Sequence, residues 1–573
     1  MKYKSVWVAL MVISLLLASC STPTPEIVEK IVTEIVKETV IVEGTPQVIE
    51  KEITKVVEVE KVVTATPEPK MAPAVGGTLV YGLAEEPDTL DVHKSGRLFI
   101  PCQFFGAGLI ARHPNTGELV PYLAESWTVG PGGMSYEFKL REDVTFHDGT
   151  PLTAQDYAYT FNRAIDPETK SPTAGQTLVG LAGAEAVDDR TLVLTMGMPN
   201  SVLLDSMANT CYLQPIPQAA VEEMGDDFGR NPIGVGPFKF KEWVTGEKIV
   251  LERNPDFAWG PGFTQGGAPM IETLEFRIIP EYATRLAGLE SGELDFINLQ
   301  AKDVERITGS GLWQMLSVGR SGAGVRLEMN TSRAPFDDLR VRQAFSYAVN
   351  RPVLVQVVES GQAVPSYGPI TPATVGYWPG VEYLGYPYDL AKARALMAEA
   401  GYTEGSDGML EKDGQPLTVG LTVDPSMVKV GEILKEQFEQ LGVQVELQQL
   451  EPGVFYETTS VNGDFDLAVT VLGWPNYGIM FVMFHSSNIG GWNISRVNTL
   501  DNAVIAMVIA NGAEAIEKAV TELQRLAVEN AYGSGLYGPL ENYALSKKVQ
   551  GAVYVPAQGW LYLWDAYIEM MPE

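Results

Sequence analysis

The chain has 573 residues, with 72 acidic against 41 basic side chains and a formal net charge of −31. That balance argues against nucleic acid, whose phosphates demand a basic face, and against a peripheral hold on anionic lipid. A hydrophobic share of 45% is that of a globular protein, and the length suffices for roughly three or four domains.

Lys2 and Lys4 precede an apolar run over 6–16 that is too short to span a bilayer comfortably. Leu17-Ala18-Ser19-Cys20 then reads as a lipobox, which makes 1–20 a lipoprotein signal peptide and Cys20 the lipidated residue. The alternative is an ordinary signal peptide. Acyl chains anchor firmly because each buried CH₂ contributes about 0.8 kcal/mol. No later stretch has the run of apolar residues that a transmembrane helix requires.

Residues 21–74 differ from everything after them. They are rich in Val, Ile, Thr, Glu and Lys, lack aromatics, and are punctuated by Pro23, Pro25, Pro46, Pro67, Pro69 and Pro73. Val28, Val32, Ile35, Thr39 and Val42 fall at heptad spacing, and Ile49, Ile53, Val56 and Val63 nearly repeat it. The expectation is a stalk, flexible or coiled-coil. The competing consideration is that β-branched residues favour extended structure.

The body opens on a strand at 76–81. In the stretch 121–166, Tyr136, Phe138 and Leu140 alternate with Glu137 and Lys139, the period of a half-buried strand. Residues 130–133 are turn chemistry between that strand and one around Trp127. Thr153 stands three residues before Asp156, a capping-box spacing, so a helix is expected from Ala154 with Tyr157, Phe161, Ala164 and Ile165 inward. The whole run, AESW followed by FKLREDVTFHDGTPLTAQDYAYTF, resembles the signature of the family 5 extracellular solute-binding proteins. These are the oligopeptide, dipeptide and nickel receptors of ABC importers.

That resemblance implies an α/β, periplasmic-binding-protein-like fold. Two large α/β lobes flank a cleft, beside a smaller domain II. Domain I would comprise 75–100, 189–305 and 533–573, domain II 101–188, and domain III 306–532. Together with the lipobox, it further implies a receptor lipid-anchored on the outer face of the cytoplasmic membrane, with a monomeric body. Its partners would be a small solute, a peptide in the usual case, and an ABC permease and ATPase complex.

Further along, 191–196 and 211–217 read as strands. The motif NPIGVGPFKFKEWVTGEKIVLERNPDF reads as a hairpin around Gly246, and it too resembles the family. A strand over 271–278 and a helix over 282–289 follow. Strand 325–330 precedes a helix carrying Leu339, Val341, Ala344, Phe345 and Ala348, again a family-like stretch. Alternation over 417–423, a helix over 428–441 ending at Gly442, and alternation over 443–447 predict a βαβ unit. Residues 465–472 are a nearly continuous apolar run, as in a strand buried on both faces. A helix is expected over 513–529.

Beyond Cys20, Cys102 and Cys211 remain. In an exported protein they are able to pair, but sequence does not fix the geometry, and two buried thiols are the alternative. No nucleophile elbow or phosphate loop is found. Gly106-Ala107-Gly108 with Ala111 is a weak dinucleotide echo. His93, His113, His147 and His485 show no metal-ligand spacing. Neither enzymatic chemistry, a cofactor nor a metal is expected.

Two stretches are candidates for ligand contact. One is 98–108, with Phe104 and Phe105. The other is 472–493, at the C-terminal end of the buried strand, where α/β sheets bind ligands. Trp474, Tyr477 and Trp492 are aromatics in a Pro/Gly/Asn-rich loop, while Phe481 and Phe484 read as core. Peptide-binding family members carry an aspartate in a motif like G-W-x-x-D-Y here, which pairs with the peptide ammonium. This chain reads Gly473-Trp474-Pro475-Asn476-Tyr477, one residue shorter, with Asn476 before the tyrosine. Weak selection for a free amine is therefore expected, or a solute other than a peptide: a sugar, an opine or, given His485, a metal chelate. The alternative is an acid elsewhere, such as Asp88, Asp91 or Asp464. A sensor that keeps the fold is the other functional reading.

Overall fold

The structure, a computed structural model, describes residues 26–42, 45–61, 75–95, 101–171, 177–208, 211–555 and 560–569. The lipobox with Cys20 lies outside the described residues. The chain divides into two compact units, Met1–Ala72 and Pro73–Glu573.

In the first unit, Glu26–Val42 and Thr45–Lys61 are antiparallel strands, in register from Glu26 opposite Lys61 to Val42 opposite Thr45. This corrects the expectation of a flexible or coiled-coil stalk. The heptad spacing is real, but Val, Ile and Thr lose rotamer freedom in a helix and fit a pleated strand. Their propensity outweighs the spacing.

In the second unit, Ala124–Val129, Ser135–Leu140, Thr191–Met196 and Leu181–Asp188 form a four-stranded antiparallel sheet in that order. The capping box at Thr153 and Asp156 starts the helix Ala154–Ile165, with Thr153 N donating to Asp156 Oδ2 at 2.9 Å. Tyr157, Phe161 and Ala164 share one core with Phe138, Leu140 and Leu192. His147, in the family-like run, has a tertiary role. Its Nδ1 accepts from Gly234 N at 3.3 Å, and its Nε2 donates to Gly236 O at 3.0 Å. Residues 234–236 in turn lie on the backbone of Phe105, with Gly236 N donating to Phe105 O at 2.9 Å. A Cβ at Gly234 would come within 2.0 Å of Phe105 O, so only glycine allows this approach.

A twelve-stranded mixed sheet forms the rest of the frame. One part holds Phe238–Val244, Lys248–Arg253, Thr273–Ile278, Thr78–Leu83 and Phe296–Leu299 in that order; the other holds Gly322–Met329, Leu467–Gly473, Thr418–Val423 and Gln444–Gln449. The long strand Ser534–Ser546 joins them. Residues 540–546 pair with Phe296–Leu299 and Trp313–Gly319, and 534–539 pair with Gly322–Met329 and Ala363–Pro365. The βαβ unit is present, with Thr418–Val423 parallel to Gln444–Gln449 across the helix Val428–Leu441. That helix ends at left-handed Gly442, φ 99°.

Residues 211–217 are not a strand. Cys211 is bonded to Cys102, a pairing the sequence left open, and Ile216 N is tied to Thr160 Oγ1 at 3.0 Å. Among the described residues no helix is long and apolar enough to cross a membrane.

Candidate functional site

The strand Leu467–Gly473 is buried at its start and emerges at Gly473. The loop beyond it turns at Asn476, whose Oδ1 accepts from Gly478 N at 3.0 Å. The short helix Ile479–Phe484 follows. Opposite stands the segment after the four-stranded sheet. Asn200 shapes it, donating from Nδ2 to Val179 O at 3.0 Å and accepting from Val202 N at 3.0 Å. The helix Leu203–Met207 then leads toward Cys211 and Tyr212.

These two segments enclose a cavity of about 470 Å³. One wall is Val179, Ser201, Val202, Ser206 and Tyr212; the other is Trp474, Phe481, Val482 and Trp492; Met507 and Val508 contribute from a third helix. Three hydrogen bonds close the walls on each other. Ser201 N donates to Val508 O at 2.8 Å. Tyr477 Oη donates to Ser201 O at 3.1 Å. Asn476 Nδ2 donates to Asp205 Oδ2 at 2.6 Å.

The electrostatics are unusual for a polar loop. Among the described residues lining the cavity, none is Asp, Glu, Lys, Arg or His. Asp205 is held by Asn476 and by an ion pair with Arg112. Burial pushes the Arg112 guanidinium below its ordinary pKa, an effect the Tyr562 hydroxyl opposes. Burial also pushes the Tyr477 hydroxyl up, so it stays a donor. The Ser201 Oγ is sealed from solvent with no hydrogen-bond partner.

Of the residues expected from sequence, Trp474 and Trp492 line the cavity. Asn476 and Tyr477 do not: they are 0% and 5% exposed and act as the clasp between its walls. Phe104 and Phe105 are a further correction. Both are buried in the core, where Phe104 meets Phe238 and Phe276 with ring centroids 6.1 and 5.9 Å away. The close-packed 234–236 segment covers them. Phe484 is core as expected, whereas Phe481 borders the cavity. His485 hydrogen-bonds Ser487 at 2.7 Å and stacks on Phe481. Among the described residues no cluster of His, Cys, Asp or Glu is arranged to hold a metal ion. The alternative acids are engaged elsewhere: Asp91 with Arg163 at 2.6 Å, Asp464 with Arg333 at 3.3 Å, and Asp88 with Thr89 N at 2.9 Å. Sequence reasoning missed the opposite wall, Asn200, Ser201, Val202, Ser206 and Tyr212; its one signal was Tyr212 next to Cys211.

Comparison with known proteins places this architecture. The profile described as bacterial extracellular solute-binding proteins, family 5 (middle), matches residues 118–490. The oligopeptide-binding protein AppA of Bacillus subtilis is 28% identical over 507 residues, covering 84% of this chain and 90% of its own. The glutathione-binding protein GsiB of Pectobacterium atrosepticum is 31% identical over 340 residues, covering 59% of this chain and 62% of its own. Among solved structures, AppA in complex with a nonapeptide superposes with a TM-score of 0.67 at 25% identity, covering 87% of this chain and all (100%) of that one. HbpA2 of Haemophilus parasuis gives 0.75 at 24% identity, covering 86% and 100%.

Proposed function

This chain belongs to the bacterial extracellular solute-binding proteins of family 5, and from that premise we propose that it is the membrane-anchored receptor of an ABC importer. It binds a small solute reversibly and does no covalent chemistry. The observation that carries this reading is the cavity of about 470 Å³ between two wall segments that are clasped together by side-chain hydrogen bonds. Ligand pockets of about 300–1,000 Å³ with aromatic linings are typical small-molecule sites. Trp474 and Trp492 are the proposed contact residues. Among the described residues, the two parts of the large sheet are joined through the strand Ser534–Ser546, a natural place for hinge closure around a ligand. The lobes would be domains I and III, with domain II, 101–188, lining part of the cavity.

A peptide is the first candidate solute, since AppA is an oligopeptide-binding protein and one fold neighbour is Helicobacter pylori DppA in complex with the peptide STSA. Native mass spectrometry of the purified body tests the reading. A stoichiometric small-molecule adduct, lost on unfolding, is expected. An adduct-free protein that also fails to shift its melting temperature with any peptide or opine pool would overturn it. Anchoring is tested separately. Cys20→Ser should release the protein from membranes, and a variant that stays bound after a high-salt wash would overturn the anchor.

A further inference from the structure

We infer that the cavity takes an uncharged, predominantly apolar solute, and that it discriminates against free ammonium and carboxylate groups. This inference rests on the solute-receptor reading and narrows its substrate class.

The first ground is the lining. A charge carried into the cavity gives up its hydration and finds no opposite charge among the described lining residues. The second is the state of the side chain at the strand end. Asn476 is 0% exposed, its Nδ2 is committed to Asp205 and its Oδ1 to Gly478 N. It faces the opposite wall, not the ligand. Asp205, one residue before Ser206 of the wall, is already neutralised by Arg112. No carboxylate is therefore left in these walls to greet an amine.

The third ground is what the walls do offer. Trp474, Phe481, Val202, Val482 and Met507 present apolar surface. The polar side chains among the lining, such as Asn200, Ser206 and Asn488, are neutral. The volume suits a compact molecule.

The test uses two dyes of nearly the same shape, both fluorescent in apolar surroundings. N-phenyl-1-naphthylamine is neutral and carries one N–H; 8-anilinonaphthalene-1-sulfonate carries an anion. The full mature chain should bind the neutral dye at one saturable site and the sulfonate at least about tenfold more weakly, a single decade of affinity being a modest demand for an unpaired charge. Val482→Asp should weaken the neutral dye by a similar factor. Trp474→Ala, which adds no charge, should also weaken it and guards against a folding failure of the first variant.

Displacement extends the test to amines. N-acetyl-Leu-Phe-Leu-amide should displace the neutral dye at least as well as unblocked Leu-Phe-Leu. Equal binding of the two dyes, or failure of the neutral dye to bind, would overturn the inference, as would neutral-dye binding that neither variant affects. A clear preference for the unblocked peptide would overturn the neutral class while leaving the solute-receptor reading standing. That reading has its own readout in the native mass spectrum.

Discussion

Ser201, the buried His93 and the half-buried His147 carry predictions that belong to single side chains. The Ser201 hydroxyl is buried without a partner, so Ser201→Ala removes an unsatisfied group. In the ligand-free protein the change should be neutral or stabilising by up to about 1 kcal/mol, read from urea unfolding; a clear loss of stability would mean the hydroxyl has a partner. The histidines make the fold acid-sensitive. Burial pushes His93 and His147 down to about 4 from 6.5. At His93 the Arg163 guanidinium adds to the effect; at His147 the bond to Gly236 opposes it. Below pH 6.5 the unfolded chain takes up protons that the folded chain refuses, so stability falls as pH falls toward about 4. Each histidine costs up to about 1.4 kcal/mol per pH unit in that window. His147→Gln should flatten part of this slope, checked by melting curves between pH 7 and 4.5; an unchanged slope would rule His147 out. The same residues show what sequence conveys. Trp474 and Trp492 stood out because aromatics are unusual in a Pro/Gly/Asn-rich loop. The partner of Asn476 did not, because Asp205 lies 271 positions away and no local pattern connects them.

At the scale of elements, periodicity conveyed most where one face is buried. The helices Val428–Leu441 and Ala513–Glu529 lie at the bounds read from sequence, set by apolar spacing and, for the first, by Gly442. Periodicity conveys less where polar residues are buried in pairs. Strand Gly322–Met329 is buried along its whole length, because Arg326 and Glu328 satisfy each other at 3.0 Å and Ser495 hydrogen-bonds the carboxylate. The stretch 211–217 misled. Its apolar residues are held by a covalent bond instead of a ladder. That bond closes a sequence separation of 109 residues. Chain entropy assigns a loop of that size about 4–5 kcal/mol of stabilisation. The double variant Cys102→Ser, Cys211→Ser should lose stability by roughly 2–5 kcal/mol in urea titration. Because Tyr212 borders the cavity beside Cys211, solute affinity should fall as well. A variant as stable as the parent would show that packing alone holds this segment.

For the whole molecule, the clasp at the cavity decides how readily the walls part. Opening must break the bond from Asn476 Nδ2 to Asp205 Oδ2, 2.6 Å in the closed arrangement. A hydrogen bond to a charged group contributes about 1.5–3 kcal/mol, so Asn476→Ala should raise the open population by roughly 10- to 150-fold. Hydrogen exchange of the amides in 201–207 and 476–480 reads that change without any ligand. Asn476→Asp is the sharper case, since it puts a carboxylate where the amide now meets Asp205. Here it would set two carboxylates in contact, with one Arg112 to compensate both. Like charges so close raise the pKa of one member of the pair. Below that raised value the pair shares a proton and the clasp holds; as pH rises through it the proton leaves and the walls repel. Relative to the parent at each pH, Asn476→Asp should therefore be nearly as protected at pH 5 but less protected than Asn476→Ala at pH 8. An Asn476→Asp variant whose protection, measured against the parent, does not change with pH would mean that residues 476 and 205 do not meet when the cavity is closed.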